Sequence, residues 1–187
     1  MGENRYVALL RGINVGGNNL IKMLALRSSF AGMGFSEVQT YIQSGNVVFS
    51  SKQTNKPKLT ALIEKALSEA FSYESRVVVI SASEMERVVT QAPKGFGKDP
   101  EQYRYDVLFV REPFTTAEAL KGINATPGVD TTHAGDHALY FRRLISRAAQ
   151  SNLNKLVVRP AYKNITVRNW NTTMKLLGII RAATSNV

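Results

Sequence analysis

The segment Arg11-Gly12-Ile13-Asn14-Val15-Gly16-Gly17-Asn18-Asn19 carries residue types suited to holding an anion. Gly12, Gly16 and Gly17 allow backbone turns that a side chain would forbid. The loop leads into a predicted helix, whose first N–H groups have no intrahelical acceptor and whose dipole is positive at that end. Lys22, expected in the first turn, adds positive charge where a helix ordinarily prefers an acid. Together these features fit a phosphate or carboxylate pocket. The loop is not GxGxxG, and it lacks the lysine-plus-hydroxyl ending of a P-loop. A simple strand-to-helix connection, capped by Asn18 or Asn19, accounts for the same residues.

Two further polar segments bear on binding. Gln43-Ser44-Gly45-Asn46 reads as a hairpin turn with positive φ at Gly45 and Asn46, and Gln43 and Asn46 can also hydrogen-bond a ligand's polar edge. In Arg168-Asn169-Trp170-Asn171-Thr172, Trp170 can stack on a base or, more simply, staple the start of a helix. Asn169 or Asn171 serves as the cap of that helix. Arg168 has no acidic sequence neighbour, which suggests a phosphate partner.

Catalytic equipment is sparse. The chain has no cysteine, which removes disulfides, thiolate zinc sites and cysteine nucleophiles. His133 and His137 flank a turn containing Asp136. Two imidazoles and a carboxylate can ligate a metal, but positions four apart across a tight turn need not converge, and no further ligand is evident. No metal and no cofactor is expected. No acid/base pair or triad stands out, and catalytic residues are not assigned.

Charge is distributed unevenly. The 24 basic and 14 acidic residues give a net +10. Through Asp136 there are 15 basic and 14 acidic residues, a net +1. From His137 onward there are nine basic residues and no Asp or Glu. An acid-free stretch cannot neutralise its own field, so it attracts polyanions. Apolar residues are 44% of the chain and charged residues 20%, an ordinary globular balance. No apolar run approaches the roughly 18 residues of a membrane span, and the first residues lack the basic-then-apolar pattern of a secretion signal. A cytoplasmic protein with no membrane partner is expected.

These residues must be placed by secondary structure. Tyr6–Arg11 reads as a strand. Leu20, Met23, Leu24, Phe30 and Met33 follow at helical spacing, with Gly32 and Gly34 as the stop. Glu37–Ile42 and Val47–Ser50 flank the hairpin turn. Lys58–Phe71 carries the clearest apolar stripe, Leu59, Leu62, Ile63, Ala66, Leu67 and Ala70. Arg76–Ser81 is a strand, and Ser83–Val89 a short helix with Ser83 and Glu86 spaced as a capping box. After Gln91–Tyr103, rich in proline and glycine, the order recurs: strand Arg104–Arg111, helix Thr115–Lys121, strands Val129–His133 and Ala138–Arg142 about Gly135-Asp136, helix Ser151–Val158, strand Asn164–Val167. A terminal helix places Trp170, Met174, Leu177 and Arg181 near one face.

Each half therefore reads β-α-β-β-α-β, the order of the ferredoxin-like split sandwich. The expected fold is α+β: two tandem ferredoxin-like units with antiparallel sheets and an extra C-terminal helix. The expected boundaries are 1–92, a linker at 93–103, and 104–187. The alternative is one α+β domain whose halves share a sheet. In the sandwich, sheet order 4-1-3-2 brings the Gly12–Asn19 loop, the Gln43–Asn46 turn and the segment Glu74–Arg76 to one end. Arg11, Asn14, Lys22, Gln43, Asn46 and Arg76 then come within reach of each other.

The strings YVALLRGINVGGNNLIKM, TYIQSGNVVFSS and ITVRNWNTTMKLLGI together resemble a bacterial family known as domain of unknown function 1697. The resemblance spans nearly the whole chain. It implies an α+β protein of this length in a bacterial cytoplasm, and it implies no reaction, substrate or catalytic residue.

Three functions compete. The first is an anion-binding module contacting nucleic acid or nucleotide phosphates. The second is an enzyme acting on a small phosphorylated or carboxylated substrate, with Arg11 and Lys22 stabilising developing negative charge. The third is a protein-interaction scaffold. The charge distribution favours the first.

Overall fold

The computed structural model describes residues 3–14, 19–156 and 159–184. In chain order the elements are β1 (Asn4–Leu10), α1 (Met23–Gly32), β2 (Ser36–Tyr41), β3 (Asn46–Ser51), α2 (Lys56–Phe71), β4 (Val77–Ser81), α3 (Ala82–Thr90), β5 (Tyr103–Val110), α4 (Thr116–Lys121), β6 (Asp130–Ala134), β7 (Ala138–Leu144), α5 (Leu153–Leu156), β8 (Ile165–Asn169) and α6 (Trp170–Thr184). Two 3-10 segments, Ile145–Gln150 and Pro160–Asn164, stand before and after α5.

The strands form two antiparallel four-stranded sheets, ordered β2-β3-β1-β4 and β6-β7-β5-β8. Both have the strand order of the split sandwich, so the fold is α+β with two β-α-β-β-α-β units and a C-terminal helix. No strand pairing joins the sheets among the described residues, which removes the shared-sheet alternative.

The chain divides into two compact units, Met1–Ser83 with Leu176–Val187, and Glu84–Lys175. In the first unit, α2 begins where Asn55 Oδ1 accepts the Lys58 N–H at 3.0 Å, with Pro57 at the first turn. Its residues Leu59, Ile63 and Leu67, spaced by four, are fully buried, while Leu62 is exposed. They pack with Leu26 and Phe30 of α1 over Ala8, Leu10, Val47, Phe49, Val77 and Val79 of the sheet. The apolar face of α1 differs from the sequence expectation. The helix starts at Met23, which turns Leu26 and Phe30 inward and leaves Leu20 and Leu24 about three-quarters exposed, at 77% and 75%.

In the second unit, Leu108, Val110, Leu139, Phe141 and Ile165 form a core with Ala119 of α4 and Leu156 of α5. The opposite face of the same sheet carries Tyr105, Val107, Phe109 and Tyr140. The Tyr140 hydroxyl donates to the Val88 carbonyl at 2.6 Å, and burial holds its pKa up at about 12.

Several local expectations change. The segment 93–103 lies within the second unit, and Phe96 sets its ring edge-on against Tyr105, Tyr140 and Trp170 at 4.9, 5.6 and 5.2 Å. Helix α3 begins directly after β4, so Ser83 stands inside its first turn and not at the cap. A capping box does form at Thr115 and Glu118, at the start of α4. The helix expected over 151–158 is one turn, Leu153–Leu156, and Val157 and Val158 fall outside the described residues. In α6 the buried residues are Thr172, Thr173, Leu176, Leu177 and Ile180, while Met174 is exposed. Among the described residues, no helix is long and apolar enough to cross a membrane.

Candidate functional site

β1 lies between β3 and β4 in its sheet, so its end is flanked by the β2–β3 turn and by the start of β4. Backbone bonds make the junction. The Leu10 N–H donates to the Gly45 carbonyl at 2.8 Å, and the Arg11 N–H donates to the Arg76 carbonyl at 2.9 Å. The three polar bends of the first unit therefore share one rim.

Asn14 holds that rim together. Its Nδ2 donates to the Ile21 and Gln43 carbonyls at 3.0 and 2.8 Å, and its Oδ1 accepts the Ile21 N–H at 2.8 Å. Its backbone has φ +53°, a conformation asparagine tolerates better than most residues. The Asn14 amide is thus engaged within the chain, as a brace. Asn19, expected as a cap, instead takes φ +47° and donates from Nδ2 to the Gly12 carbonyl at 2.9 Å. Gly12 has φ +70°. Gly16 and Gly17 lie outside the described residues, as do Val15 and Asn18.

Lys22 is the residue before α1 and not part of its first turn. It is exposed, and its side chain makes no cap bond. Arg11 is half-buried at the end of β1. Gln43 is exposed and offers its carbonyl to Asn14. Asn46 is fully buried, and its Nδ2 donates to the Tyr41 carbonyl and to Ser44 Oγ at 2.9 and 3.0 Å, closing the hairpin. Positive φ occurs at Ile42 and Gly45, not at Asn46, because Asn46 already pairs in the ladder with Tyr41 and Leu9. A Cβ at Gly45 would lie 2.7 Å from Ile13 Cδ1, so the turn presses on the loop. Arg76 is half-buried and ion-paired with Glu74.

Arg168, Asn169 and Trp170 belong to the second unit. Arg168 is buried and donates from Nη1 to the Val167 carbonyl at 2.9 Å. Burial lowers its pKa to about 10, with Tyr162 opposing. A solution phosphate would have to reach a side chain with 8% of its surface exposed. Asn169 is the cap of α6, its Oδ1 accepting the Thr172 N–H at 2.7 Å. Trp170 packs edge-on against Phe96, and Gly97 approaches its ring so closely that a Cβ would fall 2.3 Å from Cδ1. The half-buried indole is thus packed against the 93–98 segment.

His137 Nδ1 is 3.8 Å from Glu84 Oε1, and His133 is exposed. Among the described residues, no three His, Asp or Glu side chains gather as a metal site would require.

The sequence reading passed over a recess in the second unit. Pro93, Lys94, Gly95, Phe96, Tyr105, Thr131, His133 and Arg142 enclose about 80 Å3. Strand alternation carries the signal: Tyr140 and Arg142 on β7, Thr131 and His133 on β6, and Tyr103 and Tyr105 on β5 share one sheet face.

Two tandem split sandwiches with a polar rim on the first define the class of this protein. The model of the protein of unknown function DUF1697 family matches residues 4–140, and the chain belongs to that family. It is also similar to the conserved bacterial protein SP0830 from Streptococcus pneumoniae, with 25% identity and a TM-score of 0.84, over 95% of this chain and 99% of that one. Among curated proteins, none matches.

Proposed function

We propose that the chain is a cytoplasmic anion-binding module that contacts nucleic acid or the phosphates of nucleotides. One observation about charge supports this reading. The run from His137 onward has nine cations and no carboxylate of its own, and its lysines Lys155, Lys163 and Lys175 are exposed without a carboxylate partner among the described residues. Arg147 and Arg159 donate to neutral oxygens, of Gln150 and Gly122, each at 2.7 Å, which leaves their charge uncompensated. Arg143 stands 3.6 Å from Asp106. Uncompensated surface cations attract phosphates and release the counterions condensed on them. The exposed Lys22 brings the same chemistry to the first-unit rim, beside the half-buried Arg11.

The test is a salt titration of oligonucleotide binding, followed by fluorescence anisotropy. Binding should weaken linearly in log K against log salt. The triple variant Lys155→Gln/Lys163→Gln/Lys175→Gln should reduce the steepness by about 2 to 3, one phosphate contact being worth about 0.7 to 0.9. Absence of binding at low salt, or binding indifferent to salt, rejects the module.

A further inference from the structure

We infer that the recess of the second unit is a preorganised seat for the phosphoryl group of a phosphomonoester, an inference that rests on the anion-binding reading above and gives it a location. Its lining contains Lys94, Arg142 and the imidazole of His133, and no carboxylate. Arg142 is held from two sides. Its Nε donates to Thr131 Oγ1 at 3.2 Å, and its guanidinium carbon lies 4.5 Å from the centre of the Tyr103 ring. Its two terminal nitrogens meet no protein acceptor among the described residues. A half-buried guanidinium with a fixed Nε and an open fork is arranged for a bidentate oxyanion.

The wall opposite is rigid. The Phe96 N–H donates to the Pro93 carbonyl at 2.9 Å, and the Lys98 N–H to the Gly95 carbonyl at 3.1 Å, which folds 93–98 into successive turns. Phe96 is wedged among Tyr105, Tyr140 and Trp170. The loop therefore arrives shaped, and little conformational freedom remains to be lost when a ligand binds.

Charge and size select the ligand. A carboxylate is a monoanion with two oxygens, which the Arg142 fork alone satisfies. A phosphomonoester is close to a dianion and presents three terminal oxygens, enough for the fork and for Lys94. The recess, at about 80 Å3, is near half the volume of an engineered cavity of about 150 Å3 that takes benzene. It holds the phosphoryl group and leaves the rest of the ester outside.

The experiment titrates the full chain with AMP, inorganic phosphate, adenosine and acetate, by calorimetry and by 15N NMR of arginine side chains. AMP and inorganic phosphate should bind and shift the Arg142 Nε–H resonance, and adenosine and acetate should not. Arg142→Lys keeps the charge but loses the fork, and should weaken AMP binding at least ~10-fold (about 1.4 kcal/mol). Lys94→Ala alters an exposed side chain and should also weaken binding, with the melting temperature unchanged. AMP affinity unaltered in both variants, no AMP binding, or acetate binding as tightly as AMP overturns the assignment. Salt-sensitive oligonucleotide binding without AMP binding rejects the recess alone. Arg142-dependent AMP binding without oligonucleotide binding rejects the nucleic-acid part of the wider reading and keeps the recess.

Discussion

At Asn14 one side-chain amide makes three hydrogen bonds from a backbone with φ +53°. Each such bond contributes about 1 kcal/mol net, and a bond lost at a part-buried site leaves its partner unsatisfied. Asn14→Ala should therefore lower unfolding free energy by about 2–3 kcal/mol in urea denaturation. Asn14→Gly keeps the left-handed backbone and should recover only the smaller conformational part, on the order of 1 kcal/mol. Asp106 gives a different signature. It is 9% exposed, and its Oδ2 sits 3.6 Å from Arg143 Nη2, beyond hydrogen-bond distance. Burial pushes its carboxyl above the usual aspartate range, with Arg143 and then Arg104 opposing. A folded-state pKa above the unfolded one means that the native chain holds the proton more tightly. The associated stability is full below the ordinary aspartate pKa and disappears as pH rises through the raised value. Denaturation measured across the acid range should contain this falling component in the wild type and lack it in Asp106→Asn.

Among the elements, the 93–98 turns offer a controlled comparison. Gly95 and Gly97 have nearly the same φ, +82° and +83°. A Cβ at Gly95 meets nothing within 4 Å, whereas at Gly97 it would fall 2.3 Å from the Trp170 ring. Gly95→Ala should cost about 1–2 kcal/mol, the left-handed penalty alone. Gly97→Ala should cost a further ~1–3 kcal/mol, because the packed Trp170 ring must move. Equal melting temperatures for the two variants would show that Trp170 is not clamped there. The same segment shows where sequence reading loses sight of structure. Strands such as β1 and β5 are legible because the apolar runs Tyr6–Leu10 and Val107–Val110 are of a length that suits sheet interiors. The long helix α2 was legible because Leu59, Ile63 and Leu67 repeat every turn. The packing of Phe96 was not, since two prolines and two glycines look alike whether they cross open solvent or fold over tyrosines. The cap of α6 is legible to within two residues, Asn169 or Asn171, because capping is local, and it is Asn169. The bracing by Asn14 is not legible in sequence, because its amide's partners Ile21 and Gln43 stand 7 and 29 residues away, whereas Asn46 bonds locally, to Tyr41 and Ser44 of its own hairpin.

Across the molecule, charge that is lopsided along the sequence evens out in space. The first unit holds ten cations against five carboxylates, and the second fourteen against nine, so each is +5. The basic C-terminal run thus does not make the second unit the more positive, and both bodies are expected to attract polyanions. Reversing the three exposed lysines Lys155, Lys163 and Lys175 to glutamate would lower the second unit's excess by six and leave the first untouched. Oligonucleotide affinity at low salt should then fall in large part but not vanish, as read by anisotropy against the wild type. The position of the bends at one rim was legible from strand order alone, because 4-1-3-2 fixes which ends meet. Which side chains remained open to solvent there was not.

The path of the backbone has a consequence for biogenesis. The chain leaves the first unit at Ser83 and returns to it only at Leu176, where Leu176, Leu177 and Ile180 are buried. A ribosome releases its product from the amino end, and domains tend to fold as they emerge. Here the unit begun first stays incomplete for ninety-two residues of translation, from Glu84 to Lys175. Its main core, drawn from residues 6–79, is synthesised whole before then, but its last helical segment joins only after the second unit has all its parts.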